Sequence, residues 1–524
     1  MPLTTRLLLL ALCCVAGLLP VRAQSPQWQW ATAAPFTVNA IATDAQGNAY
    51  VTGRFSGTIT VGNSQFSCTN NLYDLIVAKY NPQGQVQWAS VLQAQPRYPG
   101  LLNGIFASGD RIAVNPTTGE AYVAGSLNGL LPASVPGTNL PAEYISDKFV
   151  VLKLGAGGQI QWAVLGGGST APPRVQALAL DPLGNTYLTG SGYGFRLSSG
   201  GLVATGSRQM FVLALNGAGG LRWSMGPFTP LNAAGFALGV DALGGLYVLG
   251  FYNGPLTIGG TTLARTSSGT VMAKLNAGTG AVLWARGDQG GASSLAVAPT
   301  GHSYVAGSFT GTYQLEAAAV TAAAGREGFL AAFDPGGAAS WLRAVGPAET
   351  AVGVALADAG PVMQLKRSAS VAAVLGLQPD GSPAWDAQAS GVSVSPALAV
   401  VPGGPATRVV LGGSSGASAT FGPYSVGNPD FLAAVSYAPA VPLVNGVGVY
   451  PIPAQDQLHL ILPAQPGTSA QLFNAQGRAV WQRTGPGKAG TTELTVDVRN
   501  LARGFYTLRV MSRGQVVTVP VQFD

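Results

Sequence analysis

Charge is what this chain has least of. Charged residues fill 9% of its 524 positions, and nowhere do Lys and Arg form a run. Between residues 24 and 439, 18 Lys plus Arg stand against 17 Asp plus Glu. Neutralising a phosphate backbone requires clustered cations, so this balance excludes nucleic acid as a partner. Histidine is almost missing too, with only His302 and His459, which leaves a serine or cysteine nucleophile without a base. Of the three cysteines, Cys13 and Cys14 fall within the first 23 residues. Cys68 alone cannot close an internal disulfide, so stability has to come from packing. Beyond residue 23 no stretch approaches the roughly 18 unbroken apolar residues of a membrane-spanning helix.

The first 23 residues differ from the rest. An Arg at position 6, an apolar run from Leu7 to Leu19, and small residues Val21 and Ala23 before a cleavage point read as a secretory signal peptide. A lipoprotein reading fails because Leu12, not a small residue, precedes Cys13.

What the chain has in abundance is glycine, 73 residues, arranged in repeats. One unit reads "ATDAQGNAYVTG" around Tyr50 and returns around Tyr122, Tyr187, Tyr247 and Tyr304, with eroded copies near Asp358 and Val409. Alternating apolar residues on both sides of a D-x-x-G-N-like turn predict a β-hairpin. A second unit, "LIVAKYNPQGQVQWAS", ends at Trp88 and recurs at Trp162, Trp223, Trp284, Trp341 and Trp385. In five of these six copies the Trp lies seven residues after the turn-opening residue, which fixes register and face; Asn276 to Trp284 is one residue longer, a turn insertion. Each Tyr hairpin precedes a Trp hairpin, giving four antiparallel strands per period, the pattern of a β-propeller blade.

The last period is incomplete. "DFLAAVSYAPA" from Asp430 stops after one strand, while "QWQWATA" at Gln27 looks like the end of a unit whose beginning is absent. The expectation is an all-β, seven-bladed β-propeller over residues 24–439, closed by its N-terminal strand so that no sheet edge stays open. Either Trp28 or Trp30 would stand for the seventh Trp.

These repeats resemble the bacterial β-propeller family called SBBP, most closely at Asp44–Gly53 and Asp181–Gly190. That resemblance implies fold and export; it supplies no catalytic set.

After a linker at 440–446 the pattern changes to short alternating strands over 447–524, as in a small Ig-like β-sandwich. Three motifs stand in order: Tyr450, Pro451, Pro453 and Asp456; then Leu472, Phe473, Gly477, Arg478 and Val480; then Leu501, Gly504, Tyr506, Leu508, Arg509 and Val510. The module resembles the type A C-terminal sorting domain of the type IX secretion system. Ile452 and Pro520 depart from that family's usual Asn and Lys. The resemblance implies engagement of the secretion machinery, passage through the outer membrane, and release or attachment at the cell surface.

Several candidate sites compete with plainer readings. Gly412–Gly416 matches G-x-S-x-G, yet it follows a strand with no helix behind it, so it reads as a strand. "NAGTGAVLW", Asn276–Trp284, resembles the tryptophan-docking motif of pyrroloquinoline quinone propellers, where it is structural; no cofactor is called for. Asp44 and Asp181 each stand alone, whereas Ca²⁺ wants several carboxylates, so they read as turn residues. His302 reads as a turn residue and Cys68 as a half-buried thiol, with no metal expected at either.

The connections between the two hairpins of each blade, Ser56–Tyr73, Ser126–Asp147, Ser191–Gln209, Asn253–Gly269 and Ser308–Gly328, would share one face. Their Thr, Ser, Gly, Asn and aromatic content suits neutral sugars or protein backbone. The sequence therefore points to an exported, non-catalytic propeller that binds polysaccharide or protein in an adhesion or scaffold role. The alternative is an extracellular glycan-active enzyme, whose only candidate carboxylates are Asp288 and Glu349. A purely structural coat is the third reading.

Overall fold

The computed structural model describes residues 25–68, 72–96, 104–137, 139–140, 147–168, 172–203, 209–226, 233–264, 268–347, 349–392, 397–403, 406–427, 430–437, 447–450, 457–464, 468–484, 490–512 and 515–523. The signal-peptide region, the linker at 440–446 and Pro451, Ile452, Pro453 and Asp456 lie outside them. The protein is all-β and built of many small antiparallel sheets, with no helix among the described residues. It separates into a larger unit, Pro26–Gly403 with Thr407–Ser436, and a smaller one containing Tyr437–Asp524.

In the larger unit each sequence period forms one four-stranded sheet, strands side by side in chain order. Sheet one is Thr37–Thr43, Ala49–Phe55, Asp74–Tyr80 and Val86–Leu92. Sheets two to six repeat the plan from Phe106, Arg174, Ala233, Ala292 and Thr350. The seventh set begins with Ala397–Val400, Thr407–Phe421 and Asp430–Tyr437. Its fourth strand is Gln27–Ala33, paired antiparallel to Asp430–Tyr437 across some 400 residues of sequence, with Trp28 opposite Val435 and Ala33 opposite Phe431.

First strands of consecutive sheets touch in cyclic order, and that of the seventh touches that of the first. Both faces of each sheet are thereby covered. This is why the second and third strands, such as Ala49–Phe55 and Asp74–Tyr80, are buried almost throughout and apolar on both sides.

The register decides between Trp28 and Trp30. Every fourth strand carries a one-residue bulge just before its Trp: Trp88 faces Lys79 while Val86 faces Tyr80, and Trp30 faces Ala434 while Trp28 faces Val435. One extra residue reverses the faces, so Trp28 and Trp30 point opposite ways. Trp30 takes the position of Trp88. Its indole N–H donates to the Pro82 carbonyl of sheet one at 2.9 Å, as Trp88 donates to Ala156, Trp162 to Gly217 and Trp223 to Ala277 at 2.9–3.0 Å. Trp284 and Trp341 bond Pro335 and Pro379 in the same way.

In these six the acceptor is in the outer turn of the next sheet, so each of the six ties one sheet to its successor. A glycine in that turn makes room for the ring. At Gly84, φ is +78°, and a Cβ there would lie 2.8 Å from the Trp30 indole. In sheets one to five the Trp also meets the repeat Tyr of its own sheet, and Tyr50 with Trp88 and Tyr247 with Trp284 meet edge to face at 6.0 Å.

The smaller unit has a three-stranded sheet (Gly448–Tyr450, Gln457–Ala464, Gly490–Asp497) and a four-stranded one (Ala479–Thr484, Ser469–Phe473, Gly504–Ser512, Gln515–Phe523). One apolar core, including Leu458, Leu460, Leu472, Leu508 and Val510, draws on both sheets.

Candidate binding surface

Two-strand arms grow from the connections between second and third strands. In sheet one the arm is Thr58–Val61 with Ser64–Ser67, and in sheet four Leu256–Ile258 with Thr261–Leu263. In sheets five and seven the second strand itself runs on into the arm, through Thr310–Leu315 and Gly416–Phe421. Strand alternation gives every arm two unlike faces. The inward row is buried: Val61, Leu256, Ile258, Tyr313, Leu315 and Phe421. The outward row is hydroxylic. Thr58 pairs with Ser67 at 3.0 Å, Thr257 with Thr262 at 3.1 Å and Thr312 with Thr321 at 3.1 Å, all exposed. Thr420 stands opposite Ser425 in the same manner.

Two arms reach sideways. Phe195–Leu197 adds to the outer strand of sheet two, with Leu197 opposite Gly166, and Phe421 and Thr420 pair with Ala389 and Ser390 of sheet six. The arms are thus fixed by the body while their polar rows face water. The composition of these segments suits sugar binding, but composition does not reveal the two-row design; alternation in "GTITVGNSQFS" and "GPLTIGGTTLA" is the signal that carries it.

Asp288 and Glu349 lie in the connections that link one sheet to the next, on this same side. Asp288 accepts the Tyr313 hydroxyl at 2.9 Å and the Gly290 N–H at 2.7 Å. Burial pushes its carboxyl above the ordinary value, partly offset by these hydrogen bonds. Glu349 is held instead by Arg367 at 2.7 Å, which also grips Asp386 at 2.7 Å. Each carboxylate is engaged by its own partners.

The D-x-x-G-N turns lie at the opposite end of the strands. Asp44 accepts the N–H groups of Gln46 and Asn48 with one oxygen, and the Asn48 amide and Tyr50 hydroxyl with the other, at 2.7–3.1 Å. Asp181 repeats the set with Leu183, Asn185 and Tyr187. These carboxylates fasten their own turns and anchor the repeat Tyr. Asp44 is 1% exposed, so Asp44→Ala would strand several buried donors and is expected to cost about 2–4 kcal/mol. Chemical denaturation of Asp44→Ala beside Asp380→Ala, whose carboxylate is fully exposed, measures the difference.

Gly412–Gly416 sits inside the continuous strand Thr407–Phe421, where the Ser414 hydroxyl donates to Asp430 at 2.8 Å. Thr279 belongs to the lengthened turn closed by Asn276 N–H to the Ala281 carbonyl, on which Trp223 docks. His302 shares a 3.1 Å contact with Thr300, and Cys68 is half-buried against the core of sheet one.

In the smaller unit Tyr450 pairs with His459 along the ladder. Gly477 (φ +73°) and Arg478 form a turn in which Asn474 accepts the Arg478 N–H at 2.9 Å. Gly504 has φ +134°, and the buried Tyr506 donates to the Ala502 carbonyl at 2.7 Å. The second and third motifs therefore shape two bends at the ends of one sheet. Residues 448–521 match the family described as the secretion system C-terminal sorting domain. A type IX sorting tail is present.

This tail supports secretion across the outer membrane to the cell surface or beyond it. Among the described residues no helix is long and apolar enough to cross a membrane. No curated protein matches the chain. Among solved structures it is similar to the quinohemoprotein alcohol dehydrogenase of Comamonas testosteroni, with 12% identity, 79% of this chain and 76% of that one covered, and a TM-score of 0.39. It is also similar to Sqt1 of Saccharomyces cerevisiae, with 9% identity, coverages of 78% and 98%, and a TM-score of 0.38. PorZ, a surface component of the type IX secretion system of Porphyromonas gingivalis, has 11% identity, coverages of 93% and 82%, and a TM-score of 0.24.

Proposed function

We propose that this is a closed seven-bladed β-propeller, exported with a cleaved signal at residues 1–23, that binds polysaccharide at the cell surface or outside the cell without acting on it. The cyclic contact of first strands and the pairing of Gln27–Ala33 with Asp430–Tyr437 support the closed ring. The repeats' resemblance to SBBP sequences accords with it. The observation that carries the binding role is the row of exposed cross-strand hydroxyl pairs on arms whose other row is buried. Rigidly held, closely spaced hydroxyls offer donors and acceptors to sugar hydroxyls at little ordering cost. Phe251, 42% exposed near the arm end of its strand, offers an apolar ring for stacking.

A second reading rests on Asp288. Burial shifts the Asp288 carboxyl toward the protonated form, the direction a glycosidase acid requires, and Glu349 would be its companion. Asp288→Asn separates the two. The amide still accepts from Gly290 and can donate to the Tyr313 oxygen, so the fold is expected to survive. Because the native carboxyl has a raised pKa when folded, its stabilising effect is full below the ordinary 3.8 and fades as pH rises through the folded value. The variant, which cannot ionise, is expected to match or exceed the parent in Tm at pH 7. On a glycan array the parent and the variant should bind alike, with no turnover from either. Turnover by the parent that disappears in the variant would establish the enzyme.

A further inference from the structure

The charges of the larger unit are unevenly partnered. On sheets four to six exposed arm-side cations, Arg326 and Lys366, share the surface with the exposed carboxylates Glu316 and Asp386, and Arg286 pairs with Glu316 and Arg367 with Glu349 and Asp386. On sheets one to three every exposed charged side chain among the described residues is an arginine: Arg54, Arg111, Arg174, Arg196 and Arg222. The acids there are withdrawn. Asp74 is buried, Asp110 accepts from Ser108 and Ser126, and Asp147 accepts from Asn128.

Three of these arginines are on the arm side, and a fourth, Arg111, stands at mid-strand. Arg54 is the next-to-last residue of its strand, lying over the Tyr73 ring at 4.4 Å; Arg174 opens the first strand of sheet three; Arg196 is in the arm added to sheet two. Arg111 follows the bulge in the first strand of sheet two, a position occupied in sheets one, three, four, five and six by Ala40, Ala177, Ala237, Ser294 and Gly353. It is the one long side chain among these six positions. Its guanidinium donates to two main-chain carbonyls, Gln176 at 2.5 Å and Asp110 at 2.7 Å, and to no carboxylate. Those bonds fix the group while leaving three of its five N–H donors for another acceptor. Apart from Asp110, Arg111 and Arg174, the first strands of all seven sheets are uncharged.

From this asymmetry we infer that the arm side of sheets one to three recognises an anionic polysaccharide, with Arg54, Arg174 and Arg196 at the rim and Arg111 at mid-strand. The inference rests on the polysaccharide reading and adds the charge class. Guanidinium groups pair with planar carboxylates through two hydrogen bonds, so a uronate chain suits four separated arginines better than an isolated ion does. The hydroxyl-faced arms would hold the neutral parts of the same chain.

The full chain lacking residues 1–23 is to be titrated with polygalacturonate, with its methyl-esterified form, and with polyglutamate. Polygalacturonate should bind at least about tenfold more tightly than the ester, and weaken steeply between 50 and 200 mM salt. The variant carrying Arg54→Gln, Arg174→Gln and Arg196→Gln should lose that preference and keep the parent's affinity for the ester. These residues are exposed and outside the core, so folding is not at risk; Arg111→Gln tests the inner position separately. Equal binding of polygalacturonate and ester by parent and triple variant would overturn the charge inference and leave the polysaccharide reading standing. Equal binding of polyglutamate and polygalacturonate would overturn it too, since the surface would then read charge without sugar. Failure of all three polymers would overturn it as well, and the glycan array decides the broader reading independently.

Discussion

Removing Gln27–Ala33 is expected to cost the larger unit its folded state rather than trim an end. The segment covers Asp430–Tyr437, whose Phe431, Leu432, Ala433, Ala434 and Val435 are fully buried, and it supplies Trp30 to the turn at Pro82. Loss of a docked Trp alone is worth about 3–5 kcal/mol, and the ladder and apolar cover of a whole strand come on top. A domain's entire stability is about 5–15 kcal/mol, so the truncated chain has little left. It would also expose an apolar edge ready to pair with another molecule. Circular dichroism and size exclusion should report unfolded or aggregated protein. A permuted chain, with the segment moved to follow Tyr437 through a copy of the Asn81–Gln85 turn, should refold and unfold near the parent's Tm. A truncated chain as stable as the parent would show that the pairing contributes nothing. Trp30→Ala should destabilise far more than Gln29→Ala, since the Gln29 side chain is exposed.

That pairing was legible in the sequence because the Trp hairpins keep a constant spacing from turn to indole, so a lone "QWQWATA" identifies itself as a fourth strand. Which Trp docks was not legible. Period-two alternation puts Trp28 and Trp30 on one face, and alternation alone carries no mark of the bulge at Gln29 that separates them. First-strand bulges at Asn39, Asp110, Gln176, Phe236, Ser293 and Val352 were hidden for the same reason. The arms illustrate a different limit. Their apolar rows can be read from alternation, but that Phe195–Leu197 adds to sheet two instead of its own sheet depends on a contact with Gly166–Gly168, which no local pattern encodes. Asp288 was found through its place between sheets. Its bond to Tyr313 was not, since 25 residues separate them and only the folded arm brings them together.

In a host with type IX machinery, a chain ending at Ser436 is expected to accumulate in the periplasm, and residues 437–524 fused to an unrelated exported reporter should carry it outside. Cell fractionation and surface proteolysis measure both. Such a result alone would not say whether the machinery reads particular side chains or the folded tail, and the two bends allow a distinction. At Gly504, φ of +134° is open to glycine and to few other residues, so Gly504→Val strains the bend from which the buried Tyr506 reaches the Ala502 carbonyl. This variant should unfold the four-stranded sheet at a lower temperature. Arg478 is exposed, and its link to Asn474 runs through the backbone N–H, so Arg478→Ala leaves the turn intact. If Arg478 is read directly, Arg478→Ala keeps its Tm yet stays in the periplasm. Normal export of that variant, with failure of Gly504→Val, would mean that the machinery recognises the folded sheet, with Arg478 no more than a solvated turn residue.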